Sequence, residues 1–327
     1  MRILVIGGTR FAGRAYVEEA VRRGHEMTVF HRGTSEPEGL ADVEHVHGDR
    51  NADLGLLRGS FWDAVLDTCA YFPRAVRDVA AAVGDAVGHY TFVSTLSVHP
   101  DDFPPGGNEE SPTHAPPFPD TEEITLETYG PLKVACEVAA RESFPARSLV
   151  VRPGYIVGPH DPTDRFTYWL RRAAEGGEML APGPPHAPFQ VVDARDLAAF
   201  MLERAEGRDT DTYGVVGPGT PITTKDLLET ASDVAAAETT LTWVDEAFLH
   251  SLGDEVEAEL PMWHPQYPGA HSYDSSKAIA AGLRHRPFAE TVADTLAWDR
   301  ARGRQPLRAG LSDERERELL DRWRAES

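Results

Sequence analysis

The sequence predicts an α/β protein, a doubly wound parallel sheet with a smaller C-terminal domain that binds substrate. Three observations carry this. An apolar run at residues 3–6 leads into a glycine-rich turn and then a helix-patterned segment. Short apolar runs and helix-patterned stretches continue to alternate after it, the arrangement of strand–helix–strand units. Residues 207–274 then change character, with short strands at 213–216 and 240–244 and helices at 224–236 and 245–259 that do not continue the alternation. The sheet domain is expected over 1–160, with part of 186–220 returning to it. Residues 161–327 are expected to be mainly substrate-binding and interleaved with the first domain.

The opening MRILVIGGTRFAGRAYVEEAVRRGHEMTVFH reads as a strand, a turn, a helix with Tyr16, Val17, Ala20 and Val21 on its apolar face, and a second strand at 27–30. A strand–turn–helix of this kind brings backbone N–H groups and the positive end of a helix dipole to one point, which suits a pyrophosphate. This is the start of a Rossmann dinucleotide fold. Gly7 and Gly13 keep the fingerprint spacing, while Arg10 stands where the middle glycine is expected. After the second strand, where an acid would bind the ribose 2'-hydroxyl of NAD, stand His31 and Arg32. Positive charge there suits a 2'-phosphate, so NADP is expected and NAD is disfavoured. The plainer alternative is that Arg10 and Arg32 are solvated surface charges.

Further strands at 43–46, 64–66 and 90–93 lead to Gly48-Asp49, Asp67 and Ser94-Thr95. Ligands of such a sheet lie at the carboxyl ends of the strands. Asp49 is placed to face an adenine amino group or to cap the next helix. Residues 100–119, crowded with proline and glycine, form a lid or a disordered surface loop. Next comes TYGPLKVACE. The chain has only three lysines, Lys133, Lys225 and Lys277, against twenty-nine arginines, yet Lys133 stands four residues after Tyr129. On a helix that spacing puts phenol and ammonium on one face. The cation lowers the cost of forming a phenolate, and its remaining protons can bond a sugar hydroxyl. Tyr273 and Lys277 share the spacing, so spacing alone leaves two candidates.

Composition narrows the function classes. At 327 residues and 41% apolar the chain has room for one large or two smaller domains. A net charge of -21 disfavours a nucleic-acid partner. No apolar run is long enough to span a bilayer, and the short apolar start meets the glycine turn rather than a cleavage site, so a cytoplasmic protein without a membrane partner is expected. Cys69 and Cys136 make no disulfide framework. Cys69 follows the fourth strand, where its backbone can touch the cofactor. His45 and His47 alternate on a strand without companion ligands at zinc spacing, so no metal is expected. No G-x-S-x-G turn offers a hydrolase nucleophile.

GGTRFAG, HGDR, FVSTLSVH, YGPLK and VVRPGYIVGP, followed by FQVVDARDLA, TYGVVGP, SYDSSKA and GLRHRPFAETVADTLAW, stand in the order and approximate spacing of the extended short-chain dehydrogenases/reductases. The chain resembles that family, the NAD-dependent epimerase/dehydratase group, over nearly its whole length. The GGTRF turn is similar to a subset that includes bacterial reductases and the chloroplast stem-loop-binding proteins. The resemblance implies that Tyr129 is the general acid/base and Lys133 its pKa-lowering partner and ribose ligand. Thr95 bonds the substrate oxygen, with Ser94 and Ser97 as neighbours able to substitute. It places Gly7, Thr9, Arg10, Phe11, Gly13, His31, Arg32, Asp49, Ala70, Lys133, Pro153 and Ile156 around the cofactor. Tyr273 falls in the family's structural D-x-S-K-A motif, which favours Tyr129.

Arg165, at the start of a helix striped with Phe166, Trp169, Leu170 and Ala173 and capped by Asp164, is a substrate-contact candidate, as is Ser97. Residues 312–327 form a terminal helix whose Leu319, Leu320 and Trp323 need a surface, in this chain or in the partner of a homodimer. The expected activity is NADP(H)-dependent reduction of a carbonyl or imine of a small molecule. The alternatives are nucleotide-sugar epimerisation or dehydration, and cofactor binding without turnover.

Overall fold

A computed structural model of the chain describes residues 1–34, 40, 43–116, 121–267, 269–303 and 305–326. It divides into two compact units, the first comprising Met1–Gly154, Ala194–Val216 and Tyr273–Arg284, the second Tyr155–Asp193, Gly217–Ser272 and His285–Ser327.

The first unit is built on β1 (Arg2–Ile6), β2 (Glu26–His31), β3 (Glu44–His47), β4 (Ala64–Asp67), β5 (Tyr90–Val93), β6 (Ser148–Pro153) and β10 (Thr212–Val215). These form one sheet in the order β10-β6-β5-β4-β1-β2-β3, with every neighbouring pair parallel. The chain moves outward from β1 to β3, returns to β4 beside β1, and then proceeds in the opposite direction. Right-handed crossovers therefore place α1 (Phe11–Arg22) on one face and α2 (Pro73–Val83) and α3 (Leu126–Ser143) on the other. α5 (Ala194–Glu206) packs beside α1, and α2 beside α3. The reversal between β1 and β4 opens the crevice in which such sheets bind ligands. Beneath it, Leu4, Ile6, Phe30, Trp62, Val65 and Phe92 are buried with helix residues Val76, Val79 and Cys136, and the Tyr90 and Phe144 rings stack 4.1 Å apart.

The second unit has its own core. β8 (Gly177–Pro182) pairs with β12 (Thr239–Val244), while β9 (Pro188–Asp193) lies between β7 (Ile156–Val157) and β11 (Gly217–Thr223). Trp169 and Leu170 of α4 (Arg165–Glu175), Leu227 and Leu228 of α6 (Thr224–Ala235), and Val292 and Leu296 of α10 (Phe288–Ala301) are buried together. α11 (Asp313–Glu326) adds Leu319 and Leu320, so the terminal helix covers this chain's own body. Its Glu316 accepts from the Leu180 backbone at 2.9 Å and pairs with Arg172 at 2.6 Å. The single helix expected over 245–259 is two, α7 (Glu246–Ser251) and α8 (Asp254–Glu259), because Gly253 breaks it at φ 92°. Asp164 precedes α4 in a left-handed conformation and makes no side-chain cap; its carboxylate instead accepts from Arg302 and the Arg308 backbone.

The proline-rich segment expected to be a lid or disordered loop is, over its described residues 100–116, a strap fastened to the first unit; 117–119 lie outside the described residues. His114 N–H donates to Val98 O at 2.8 Å and Asp274 N–H to Gly107 O at 2.8 Å. The Glu109 carboxylate accepts from the Gly214 backbone at 2.6 Å, and Phe103 stacks on Tyr273 with centroids 5.8 Å apart.

Candidate active site

The glycine turn at the end of β1 is shaped by close approach. A Cβ on Gly13 would lie 2.9 Å from Gly8 Cα, and Gly7, at φ 107°, would carry one 2.3 Å from Thr68 Oγ1. The backbone can therefore meet a pyrophosphate at the start of α1, where dipole and free N–H groups favour an anion. Thr9 is buried in this turn, Arg10 occupies the position before the helix and is exposed, and Phe11 opens the helix at φ 44°. These residues fit a dinucleotide.

His31 is buried, and its Nδ1 accepts from Gly33 N–H at 3.2 Å. An imidazole nitrogen that accepts carries no proton, so Nε2 donates to His45 Nδ1 at 2.8 Å, and His45 Nε2 donates to Leu40 O at 3.0 Å. These bonds tie β2 to β3 through the two rings. Arg32 is exposed and, with Arg50, helps hold the Asp49 carboxyl below its ordinary range, an effect led by hydrogen bonds from the Asn51 backbone and side chain. Asp49 is thus the acceptor of a tight turn; Asp53, not Asp49, precedes the following short helix. Among the described residues no group of three or more His, Cys, Asp or Glu could hold a metal ion.

Arg50, in the HGDR segment, turns inward. It is bidentate to Asp67 at 2.8 and 2.9 Å, and Tyr90 Oη donates to the same carboxylate at 2.9 Å. Burial opposes ionisation of Asp67, but Arg50 and these donors hold its carboxyl below the usual range. The network ties the end of β4 to the first residue of β5.

Lys133 lies above that brace. Thr125 and Thr128 form a reciprocal cap that starts α3, so Tyr129 falls at the end of its first turn and Lys133 one turn later. Lys133 is buried, 3% exposed, and its ammonium donates to Ala70 O at 3.1 Å and Val93 O at 2.7 Å. Burial pushes it down to about 8, against the charges of Cys136, Asp67, Glu137 and Cys69, which favour the ammonium. Ala70, expected at the cofactor, thus also anchors the lysine.

Thr95 Oγ1 accepts from Ser97 N–H at 3.1 Å, starting a turn at Leu96–Val98, and donates to Ser97 Oγ at 3.2 Å. Ser97 is exposed. This turn packs on α3 so closely that a Cβ on Gly130 would lie 2.0 Å from Ser97 O. The Thr95–Ser97 pair is thereby set against the helix residue that follows Tyr129. Ser94 cannot substitute for Thr95, because it is buried and donates to Glu137 at 2.6 Å, while Glu137 is bidentate to Arg152 at 2.8 Å on both arms.

Pro153 ends β6, paired with Val215. Ile156 and Arg165 belong to the second unit, where Ile156 pairs with Val192 and the Arg165 guanidinium lies 5.3 Å from the Tyr155 ring centroid. The competing tyrosine is structural in its surroundings. Tyr273 is 3% exposed beside Phe103 and Val216, and Lys277 pairs with Asp211 at 2.7 Å. Tyr71, passed over in the sequence, borders Lys133 and Tyr129. The only local signal for it is an aromatic residue closely following the β4 aspartate.

Solved structures with this fold are numerous. A putative epimerase from Burkholderia cenocepacia J2315 superposes with a TM-score of 0.71 at 19% identity, covering 92% of this chain and 98% of that one. The UDP-Glc/GlcNAc 4-epimerase of Campylobacter jejuni gives 0.69 at 14%, covering 92% and 99%. MoeE5 in complex with UDP-glucose and NAD gives 0.66 at 16%, covering 92% and 99%. The chain has the fold of these epimerase structures. No protein-family model and no curated protein matches the sequence. No helix among the described residues is long and apolar enough to cross a membrane.

Proposed function

We propose that the protein is a nicotinamide-dependent enzyme that oxidises and re-reduces a secondary alcohol of a nucleotide sugar, leading to epimerisation or dehydration. The observation that carries this reading is the Lys133 ammonium, buried on the Ala70 and Val93 carbonyls one helical turn from Tyr129. A buried cation in that place has a chemical use, since it favours the phenolate of a tyrosine on the same helix face. Structural neighbours titled as UDP-sugar 4-epimerases support transient oxidation over the simple carbonyl reduction expected from the sequence.

In this reading the bound nicotinamide supplies the hydride acceptor and donor. Tyr129 takes the proton of the substrate hydroxyl and returns it, acting as general base and then as general acid. Lys133 stabilises the phenolate and keeps a further N–H for the ribose. The Thr95 hydroxyl, or Ser97 through it, bonds the reacting oxygen. The Gly7–Gly13 turn holds the pyrophosphate, and Arg10 and Arg32 favour a 2'-phosphate, hence NADP(H). A homodimer is compatible with this chemistry and is not required by it.

The test is direct. Purified protein is titrated with NADPH and NADH by fluorescence, then incubated with cofactor and either UDP-glucose or UDP-N-acetylglucosamine, and the sugar is followed by proton NMR. Conversion to an epimer or to a dehydrated product, lost in Tyr129→Phe, supports the reading. Binding of neither cofactor refutes it.

A further inference from the structure

The Lys133 ammonium is enclosed by four groups of the first unit: the Ala70 and Val93 carbonyls, the Phe92 ring with its centroid 4.3 Å away, and the Tyr71 ring at 5.6 Å. Three of the four residues belong to the interior, since Ala70 and Phe92 are fully buried and Val93 is 8% exposed. Tyr71 is 41% exposed. One side of this ring therefore meets solvent while the lysine behind it does not. The same ring lies 6.4 Å from that of Tyr129, inclined at 43°, so it borders both members of the pair.

The geometry points to Tyr71 as a positioning residue of this site, whose ring seals the Lys133 ammonium from water and gives it a cation–π face. Both ring distances to Lys133 fall within the reach over which an aromatic face attracts a cation. The attraction grows as water is removed, so the sealing and the π contact reinforce one another. The charged and titratable groups facing Lys133 come from two elements. Asp67 and Cys69 stand at and after the end of β4, and Cys136 and Glu137 follow Lys133 on α3, the helix that also carries Tyr129. Arg50 neutralises Asp67, and Arg152 neutralises Glu137. With those carboxylates already paired, access of water is the variable that most alters the ammonium, and Tyr71 is the member of its enclosure that reaches the surface.

The scarcity of lysine makes this measurable without substrate or cofactor. Protein grown on isotope-labelled lysine shows three ε-methylene signals, from Lys133, Lys225 and Lys277, and the Lys133 signal is the one lost in Lys133→Met. Its pH titration is compared in four proteins. In Tyr71→Ala, water enters and the midpoint rises by about one pH unit or more, toward the free lysine value. In Tyr71→Phe, which keeps the ring, the midpoint stays where it is in the unmodified protein. In Tyr71→Leu the seal remains but the π face is lost, so the midpoint falls; this variant serves where Tyr71→Ala fails to fold. A midpoint unchanged in Tyr71→Ala overturns the sealing role, and one unchanged in Tyr71→Leu overturns the π contact. The part given to Tyr129 rests on the function proposed above, whereas this titration reads Lys133 alone and stands or falls whether or not a nucleotide sugar is turned over.

Discussion

Replacing Lys133 by methionine should change how stability depends on pH, and the structure gives the size of the change. The lysine is depressed from 10.5 to about 8 because its charge is buried. Between those two values the unfolded chain binds a proton that the folded one lacks, so stability rises with pH across the window. Each pH unit separating the folded from the unfolded titration is worth about 1.36 kcal/mol, so the whole window amounts to about 3 kcal/mol. That contribution is fully present above pH 10.5 and is lost as pH falls through about 8. Urea unfolding of the protein and of Lys133→Met, each from pH 7 to pH 10.5, reads it, because the titrating groups remote from Lys133 cancel in the difference. Methionine leaves the Ala70 and Val93 carbonyls without a donor, which displaces one curve vertically and leaves the difference in slope intact. The expected result is a stability difference that moves in favour of the lysine protein by about 3 kcal/mol across the window. Parallel curves would refute the argument, since they would mean that the ammonium is as well solvated in the folded chain as in the unfolded one.

Tyr129→Phe should lower turnover of the nucleotide sugar by a factor on the order of 10² to 10⁴ while leaving NADPH binding nearly unchanged, as judged by kcat and fluorescence titration. Tyr273→Phe, in a ring buried beside Phe103, should leave kcat unchanged and alter at most the unfolding midpoint. Arg32→Asp should weaken NADPH binding roughly tenfold to a hundredfold and spare NADH, as expected for loss of a charge-assisted bond to a 2'-phosphate. Gly130→Ala would put a Cβ 2.0 Å from Ser97 O, so the turn and the helix must separate by roughly 1 Å and kcat should fall about 10²-fold; an unchanged kcat would show that the Thr95 turn and Tyr129 need not keep this spacing. Because a net charge of -21 repels itself, Tm should rise by several degrees as NaCl is raised to about 0.5 M.

The fold is legible in the sequence because its signals are local and repeated. The strand–turn–helix at Gly7, the apolar runs that form β3, β4 and β5, and the Tyr129–Lys133 spacing each lie within a few residues of sequence. What escapes depends on distant partners. Arg50 in HGDR shows no partner in its own neighbourhood; Asp67, seventeen residues on, takes both arms of its guanidinium. Ser94 reads as a spare hydroxyl beside Thr95 until Glu137, forty-three residues away, is seen to hold it. Asp164 has the composition of a helix cap, but two arginines of the second unit claim its carboxylate.

In the first unit these concealed pairings share a purpose. The Arg50–Asp67–Tyr90 brace ties the end of β4 to the start of β5; Ala70, which follows β4, and Val93, the last residue of β5, supply the carbonyls that hold Lys133. Ser94–Glu137–Arg152 ties the end of β5 to α3, the helix that carries both Lys133 and Tyr129. The visible motif names the groups proposed to react, while the hidden carboxylates brace the elements that carry them. Such a site should therefore tolerate a change in an exposed residue of the motif neighbourhood, such as Ser97, better than the loss of Glu137, which nothing in the motif marks. Removing Glu137 leaves the buried Arg152 guanidinium without its bidentate partner and frees Ser94, a combined loss of several kcal/mol for a group 2% exposed.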